Sequence, residues 1–156
     1  MNQDVNFYKD KKVLVAGGAG FIGSNLILKL VKAGAKVRAA DIKKDFQIKD
    51  GGIEYMHVDF AKKEDCQKAV KDMDYVFMCA ANTSGAAVME KTPLVHVTPN
   101  IIMNSLMLEA SYEAGVKKFL FISSNTVYPA LDRPVKESDM KYGDVFYKYY
   151  FVAWMK

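Results

Sequence analysis

Cysteine is scarce in this chain of 156 residues. Only Cys66 and Cys79 occur, and neither belongs to a CxxC pair. That points to free thiols in a reducing cytoplasm rather than to a disulfide scaffold. Histidine is equally sparse: His57 and His96 have no cysteine or aspartate partner at ligand spacing, so no metal site is expected. Long apolar runs are missing too. The longest are strand-sized or broken by Lys, Asn or Glu, which leaves no transmembrane helix. The opening MNQDVNFYKDKK lacks the apolar core of a secretory signal. Charge of one sign is slight, with 22 basic residues against 18 acidic ones and a net charge of +4. The lysines are scattered as solvated helix faces scatter them, so neither a nucleic-acid partner nor a membrane is expected. No repeat, low-complexity tract or linker is visible. What remains is 51% hydrophobic and 26% charged, enough for one globular domain and too little for two.

The order of elements is legible in the apolar pattern. Lys11 to Gly18 is an almost unbroken apolar run, the mark of a parallel strand buried on both faces. Phe21 to Ala33 is spaced as a helix, with Ile22, Leu26, Leu30 and Ala33 on one side and Gly34 as its stop. KVRAAD is a second strand closing at Asp41, Ile53 to Phe60 a third, Lys63 to Lys71 a short helix, and Tyr75 to Ala80 a fourth strand. Pro99 to Ala114 reads as a long helix stopped by Gly115, Lys117 to Ser124 as a fifth strand, and Val145 to Lys156 as the start of a helix. Alternating strands and helices predict a parallel sheet wound by right-handed crossovers.

The segment that carries chemistry is GGAGFIG, with glycines at 17, 20 and 23 between the first strand and the first helix. Gly17 suits the tight turn out of the strand, Gly20 the approach of backbone to a pyrophosphate, and Gly23 close packing of the helix. The helix's first N–H groups and positive end, beginning at Phe21 and Ile22, then hold phosphate. In this context the glycines read as a dinucleotide site of a Rossmann-type, doubly wound parallel sheet, a single domain. Asp41, ending the second strand, stands where an acid accepts hydrogen bonds from the adenosine ribose. A carboxylate there repels a 2′-phosphate and favours NAD over NADP, although Arg38, Lys43 and Lys44 lie close in sequence. The other reading of Asp41 is an ordinary turn aspartate.

GGAGFIG, then Asp41, VDF at 58–60, CAA at 79–81 and FISSNTVY at 121–128, resembles the extended short-chain dehydrogenase/reductase family, and within it the NAD-dependent sugar-nucleotide epimerases and dehydratases. The match runs from about Lys11 to the end of the chain and covers only the cofactor-binding half of such enzymes. The resemblance implies that Asp59 contacts the adenine amino group and Phe60 adds a backbone contact. It also implies that Ala80 and Ala81 leave room beside the cofactor, and that Asn100 is a structural asparagine of the long helix. Ser124 would hydrogen-bond a substrate oxygen and Thr126 would touch the sugar. Asp59 also reads as a loop cap, Ser124 as a strand-end hydroxyl, and Cys79 as either a small buried residue or an oxidation-sensitive one.

The family's reaction uses a tyrosine and, four residues on, a lysine. This chain breaks that pattern. Tyr142, Tyr147, Tyr149 and Tyr150 are followed at that distance by Phe146, Phe151, Ala153 and Trp154. Tyr150 is the best match to the catalytic tyrosine, with Trp154 in the lysine's place, and the tyrosine run reads equally as aromatic packing. The resemblance further implies a carboxy-terminal lobe for the sugar nucleotide, which these residues do not supply. The stop inside a helix favours a fragment over a naturally short module. Two functions therefore stand side by side: the NAD-binding portion of a sugar-nucleotide epimerase, dehydratase or reductase, inactive alone, or a non-catalytic NAD-binding sensing or interaction module. Apolar residues around the helix 99–114, Met103 and Met107 among them, together with the helix near Val145, predict a homodimer.

Overall fold

The computed structural model describes residues 7–83, 85–140 and 144–156. Within them β1 (Lys12–Ala16), β2 (Lys36–Asp41), β3 (Glu54–His57), β4 (Tyr75–Met78) and β5 (Lys118–Phe121) form one sheet in the order β3-β2-β1-β4-β5. Every neighbouring pair is parallel. The helices are α1 (Phe21–Lys32), α2 (Lys63–Val70), α3 (Ala86–Lys91), α4 (Leu94–Glu113) and α5 (Tyr150–Trp154). The chain winds outward from β1 to β3, then returns to place β4 on the other side of β1. That reversal opens a crevice at the carboxyl ends of β1 and β4, where doubly wound sheets bind ligands.

The first strand shows why both faces are covered. Val13, Leu14, Val15 and Ala16 are all fully buried. Successive side chains alternate across the pleat. Val13 and Val15 therefore enter a core with Ile27 and Leu30 of α1. Leu14 and Ala16 enter a second core with Cys66, Ala69 and Val70 of α2 and Met107 and Ala110 of α4. Each such aliphatic side chain contributes roughly 1.5–3 kcal/mol by burial, so the unbroken apolar run is a requirement of the two-sided sheet.

The chain divides into two compact units. Met1–Ala81 with Ile102–Phe121 holds the sheet, α1 and α2. Asn82–Ile101 with Ile122–Lys156 holds α3, α5 and short 3-10 turns, and has a small core of Val97, Val152 and Met155. Residues of α4 belong to both. No described helix is long and apolar enough to cross a membrane.

Several expected boundaries move. The long helix starts at Leu94 rather than Pro99, which lies inside it. Pro93 stands immediately before the helix, and its carbonyl accepts the His96 and Val97 amides at 3.0 Å. The buried face of α1 is Gly23, Ser24, Ile27 and Leu30, while Ile22 is half exposed. Small residues at 23 and 24 allow the closest approach, and they set the helix's rotation. The strands end early, at His57, Met78 and Phe121, because the residues after them leave the ladder to build turns. Helix α3 was not anticipated, and Val145–Lys156 gives a 3-10 turn (Tyr147–Tyr149) and a single short helix. Met107 is fully buried and Met103 packs on the same core, so neither is an outward-facing methionine.

Candidate functional site

The glycine turn is built by contact with the end of β4. Gly17 has φ +81°, a left-handed conformation that side chains resist, and a Cβ there would lie 2.5 Å from the Ala80 nitrogen and 2.7 Å from its Cα. The Gly20 amide closes the turn on the Gly17 carbonyl at 3.1 Å. A Cβ at Gly23 would run into that same carbonyl oxygen and approach the Gly18 Cα to 3.0 Å. The first turn of α1 is thus pressed onto the glycine turn itself. A Cβ at Gly20, by contrast, would meet only the Gly17 oxygen, at 3.2 Å, and would otherwise stand in open space ahead of the helix. No side chain caps α1 and no acid sits in its first turn, so its positive end is uncompensated. Phe21 (85% exposed) and Ile22 (50%) flank this opening with apolar surface. The arrangement fits a pyrophosphate laid over backbone N–H groups.

Asp41 locks the turn from β2. Its carboxylate is buried, with Oδ2 accepting the Ala19 amide at 3.0 Å and Oδ1 the Lys43 amide at 2.9 Å. Each carboxylate oxygen has a second acceptor site, so the group can hold the loop and still take ribose hydroxyls. Arg38 is spent elsewhere. Its guanidinium pairs with Glu54 at 2.8 Å and donates to the Ala69 and Lys71 carbonyls, also at 2.8 Å, tying down the end of α2. Asp59 Oδ1 accepts the Ala61 amide at 3.0 Å, and the Asp59 amide donates to Asp65 Oδ2 at 3.0 Å. That second bond holds the Asp65 carboxyl below its usual range. Phe60 is buried, which leaves its backbone as the part able to meet a ligand. Ala80 is half-buried beneath Gly17 and Ala81 is exposed. Burial pushes both the Cys66 and Cys79 thiols up to about 11, so they stay protonated and poorly nucleophilic at neutral pH.

In the second unit, Asn100 is 1% exposed and its side-chain amide faces Asn82. Nδ2 donates to the Asn82 carbonyl at 2.8 Å and to the His96 carbonyl at 2.7 Å, while Oδ1 accepts the Asn82 amide at 2.9 Å. Ser124 caps a 3-10 turn (Asn125–Val127), its hydroxyl accepting the Thr126 amide and donating to Asn125 Oδ1, both at 3.3 Å. The Thr126 hydroxyl is buried and has no partner among the described residues. Tyr150 opens α5, 43% exposed, with its ring 5.7 Å from Phe151 and 5.9 Å from Trp154. An indole therefore packs where the tyrosine–lysine pattern would put an ammonium. Lys156 is half-buried and donates to the Ile122 carbonyl at 3.2 Å, and desolvation lowers its pKa. Tyr142 lies outside the described residues.

Residues 13–149 match the NAD dependent epimerase/dehydratase family, which is most of the chain. The chain belongs to that family. A GDP-mannose 3,5-epimerase of Oryza sativa is 30% identical over 135 residues, covering 82% of this chain and 36% of the relative. The epimerase Mth375 of Methanothermobacter thermautotrophicus superposes with a TM-score of 0.80 at 29% identity, covering 96% of this chain and 46% of that one. A UDP-glucose 4-epimerase of Thermus thermophilus, solved in complex with NAD, gives a TM-score of 0.77 at 26% identity, covering 92% and 48%. The chain thus spans little more than a third of the first relative and just under half of the two structures.

Against this family background, the sheet unit gathers Gly17, Gly20, Phe21, Ile22, Gly23 and Asp41 around one turn, with Ala80 beneath it. Asn100, Ser124, Thr126 and Tyr150 belong to the second unit. Sequence reading missed His96, one helical turn before Asn100, because it began the helix at Pro99. Lys156 lies six residues past Tyr150, outside the four-residue spacing of the family's pattern. A desolvated lysine has no signature in a bare sequence.

Proposed function

We propose that this chain is the NAD-binding portion of an epimerase, dehydratase or reductase that acts on a sugar nucleotide. The observation that carries the reading is the glycine turn seated on the Ala80 backbone and tied by the buried Asp41 carboxylate, with the open end of α1 before it. When bound, NAD supplies a hydride acceptor and donor for a sugar carbon. The chain's own residues do the rest. Backbone N–H groups of Gly17 to Gly23 hold the pyrophosphate, and Asp41 accepts the ribose hydroxyls and disfavours a 2′-phosphate. Asp59 and Phe60 face the adenine, and Ala80 and Ala81 keep the neighbouring space clear of bulk. Asn100 fixes the chain beyond β4, Ser124 orients the reacting oxygen, Thr126 meets the sugar, and Tyr150 exchanges its proton.

Two finer features belong to the same reading. The protein works in the cytoplasm, consistent with its two free cysteines. It pairs as a homodimer, with Leu108 and Tyr112 of α4, 56% and 87% exposed and one turn apart, as part of the apolar surface available, which also includes Ile101 and Ile102. Exposed Tyr147, Phe151 and Trp154 extend the apolar surface of the second unit. The competing reading, a non-catalytic NAD-sensing module, draws on the Tyr150–Trp154 ring contact. Turnover separates them. The protein including any segment that follows Lys156 is expected to interconvert or oxidise a sugar nucleotide such as UDP-glucose or GDP-mannose, with Ser124→Ala slowing it by about a hundredfold or more. Tight NAD binding without turnover of any sugar nucleotide would favour the module.

A further inference from the structure

The peptide of Asn82 is held by side chains rather than by the sheet. Its N–H and its C=O both meet the Asn100 amide, at 2.9 and 2.8 Å, in the reciprocal pattern of a strand pair. A second group reaches the same carbonyl: the ring Nδ1 of His96, at 3.2 Å. His96 is fully buried and lies four residues before Asn100, on the same face of α4. A carbonyl oxygen only accepts, so His96 Nδ1 carries the proton and donates it. Both acceptor sites of the Asn82 carbonyl are thereby used. Two residues earlier in the chain, the Ala80 backbone is the surface on which the Gly17 turn rests. One residue, Ala81, separates the two.

We infer that His96 is a positioning residue for the cofactor turn, acting through its hydrogen bond to the Asn82 carbonyl. It sets the backbone that follows β4, and that backbone supports the glycine turn. The inference rests on the NAD reading for its functional consequence, while the clamp itself rests on the hydrogen bonds alone.

Two substitutions separate positioning from simple packing. His96→Asn keeps an N–H donor on the γ carbon, where Nδ1 stands, but loses ring volume. His96→Leu keeps volume and removes the donor. If His96 only fills space, His96→Asn lowers the melting temperature and His96→Leu does not, with no distinction in binding. The clamp instead makes His96→Leu bind NAD about tenfold more weakly at 25 °C, while His96→Asn stays within about twofold, the tenfold being what one lost buried hydrogen bond produces. Amide hydrogen exchange over residues 79–83 is expected to speed up in His96→Leu and to match the native chain in His96→Asn. Should His96→Leu fail to fold, His96→Gln, whose amide reaches past the Nδ1 position, takes its place with the same expectation. Equal NAD affinity and equal exchange in the Leu and Asn variants would overturn the inference. If the native chain does not bind NAD, the proposed function is what fails, and the exchange measurement still decides the clamp.

Discussion

Replacing Gly23 by alanine sets two physical effects against each other, with opposite signs. Alanine is the better helix former, and within a helix the exchange is worth about 0.5–1 kcal/mol of added stability. The structure opposes that gain. A Cβ at position 23 would collide with the Gly17 carbonyl oxygen and come within 2.9 Å of the Gly17 carbonyl carbon. These are backbone atoms, fixed from below by Ala80, so the turn or the helix must shift. Overpacking of this kind costs about 1–3 kcal/mol. The net expectation is a loss of about 1–2 kcal/mol in urea unfolding, together with about tenfold or greater weakening of NAD binding as the N–H groups of the turn move. Gly51, where a Cβ would meet nothing within 4 Å, is the control, and alanine there is expected to be neutral within about 0.5 kcal/mol. A Gly23→Ala protein more stable than the native one, with unchanged NAD affinity, would refute the packing argument.

Other outcomes follow from the same geometry. Arg38→Gln removes the clamp on the end of α2 and is expected to cost about 2 kcal/mol while leaving the NAD-to-NADP ratio untouched; a changed ratio, read by calorimetry, would put Arg38 at the ribose after all. The thiols of Cys66 and Cys79, raised by burial from 9.0 to about 11 when folded, contribute stability that is complete below pH 9.0 and lost as pH rises toward about 11. Urea midpoints across that window should fall less steeply in a Cys66→Ala, Cys79→Ala chain, and an identical slope would count against burial as the cause. Leu108→Glu with Tyr112→Glu is expected to convert a dimer to monomer in sedimentation at about ten micromolar, while monomeric native protein at tens of micromolar removes the dimer from the account.

The sheet was legible because a two-sided parallel strand has to be apolar where it is covered, and β1 reads that way from Val13 to Ala16. The glycine turn was legible because its spacing is imposed by contacts no side chain tolerates, at Gly17 and Gly23. Asp41 was read as a ribose acceptor or a turn aspartate, and its bond to the Lys43 amide two residues on is of the turn kind; its bond to Ala19 was not seen, since a bond across 22 residues leaves no local mark. The helix start at Pro99 fell five residues late, since α4 runs from Leu94 through that proline, and it hid His96 with it. The outward methionines of α4 were also misassigned, while Ile101, Ile102 and Leu108 are exposed. Spacing alone does not say which apolar residues face the sheet, and Met107 went inward while Leu108 and Tyr112 stayed out. The residues around Tyr150 were the least legible, because a run of aromatics fits packing and catalysis alike.

The central claim is that the glycine turn and Asp41 make a site for NAD. Titration calorimetry of the native chain with NAD and with NADP, at one pH and one ionic strength, tests it most directly. The expected result is saturable one-to-one binding of NAD, about tenfold or more tighter than NADP because the 2′-phosphate meets the Asp41 carboxylate. No binding of either nucleotide, or NADP held as tightly as NAD, would contradict it.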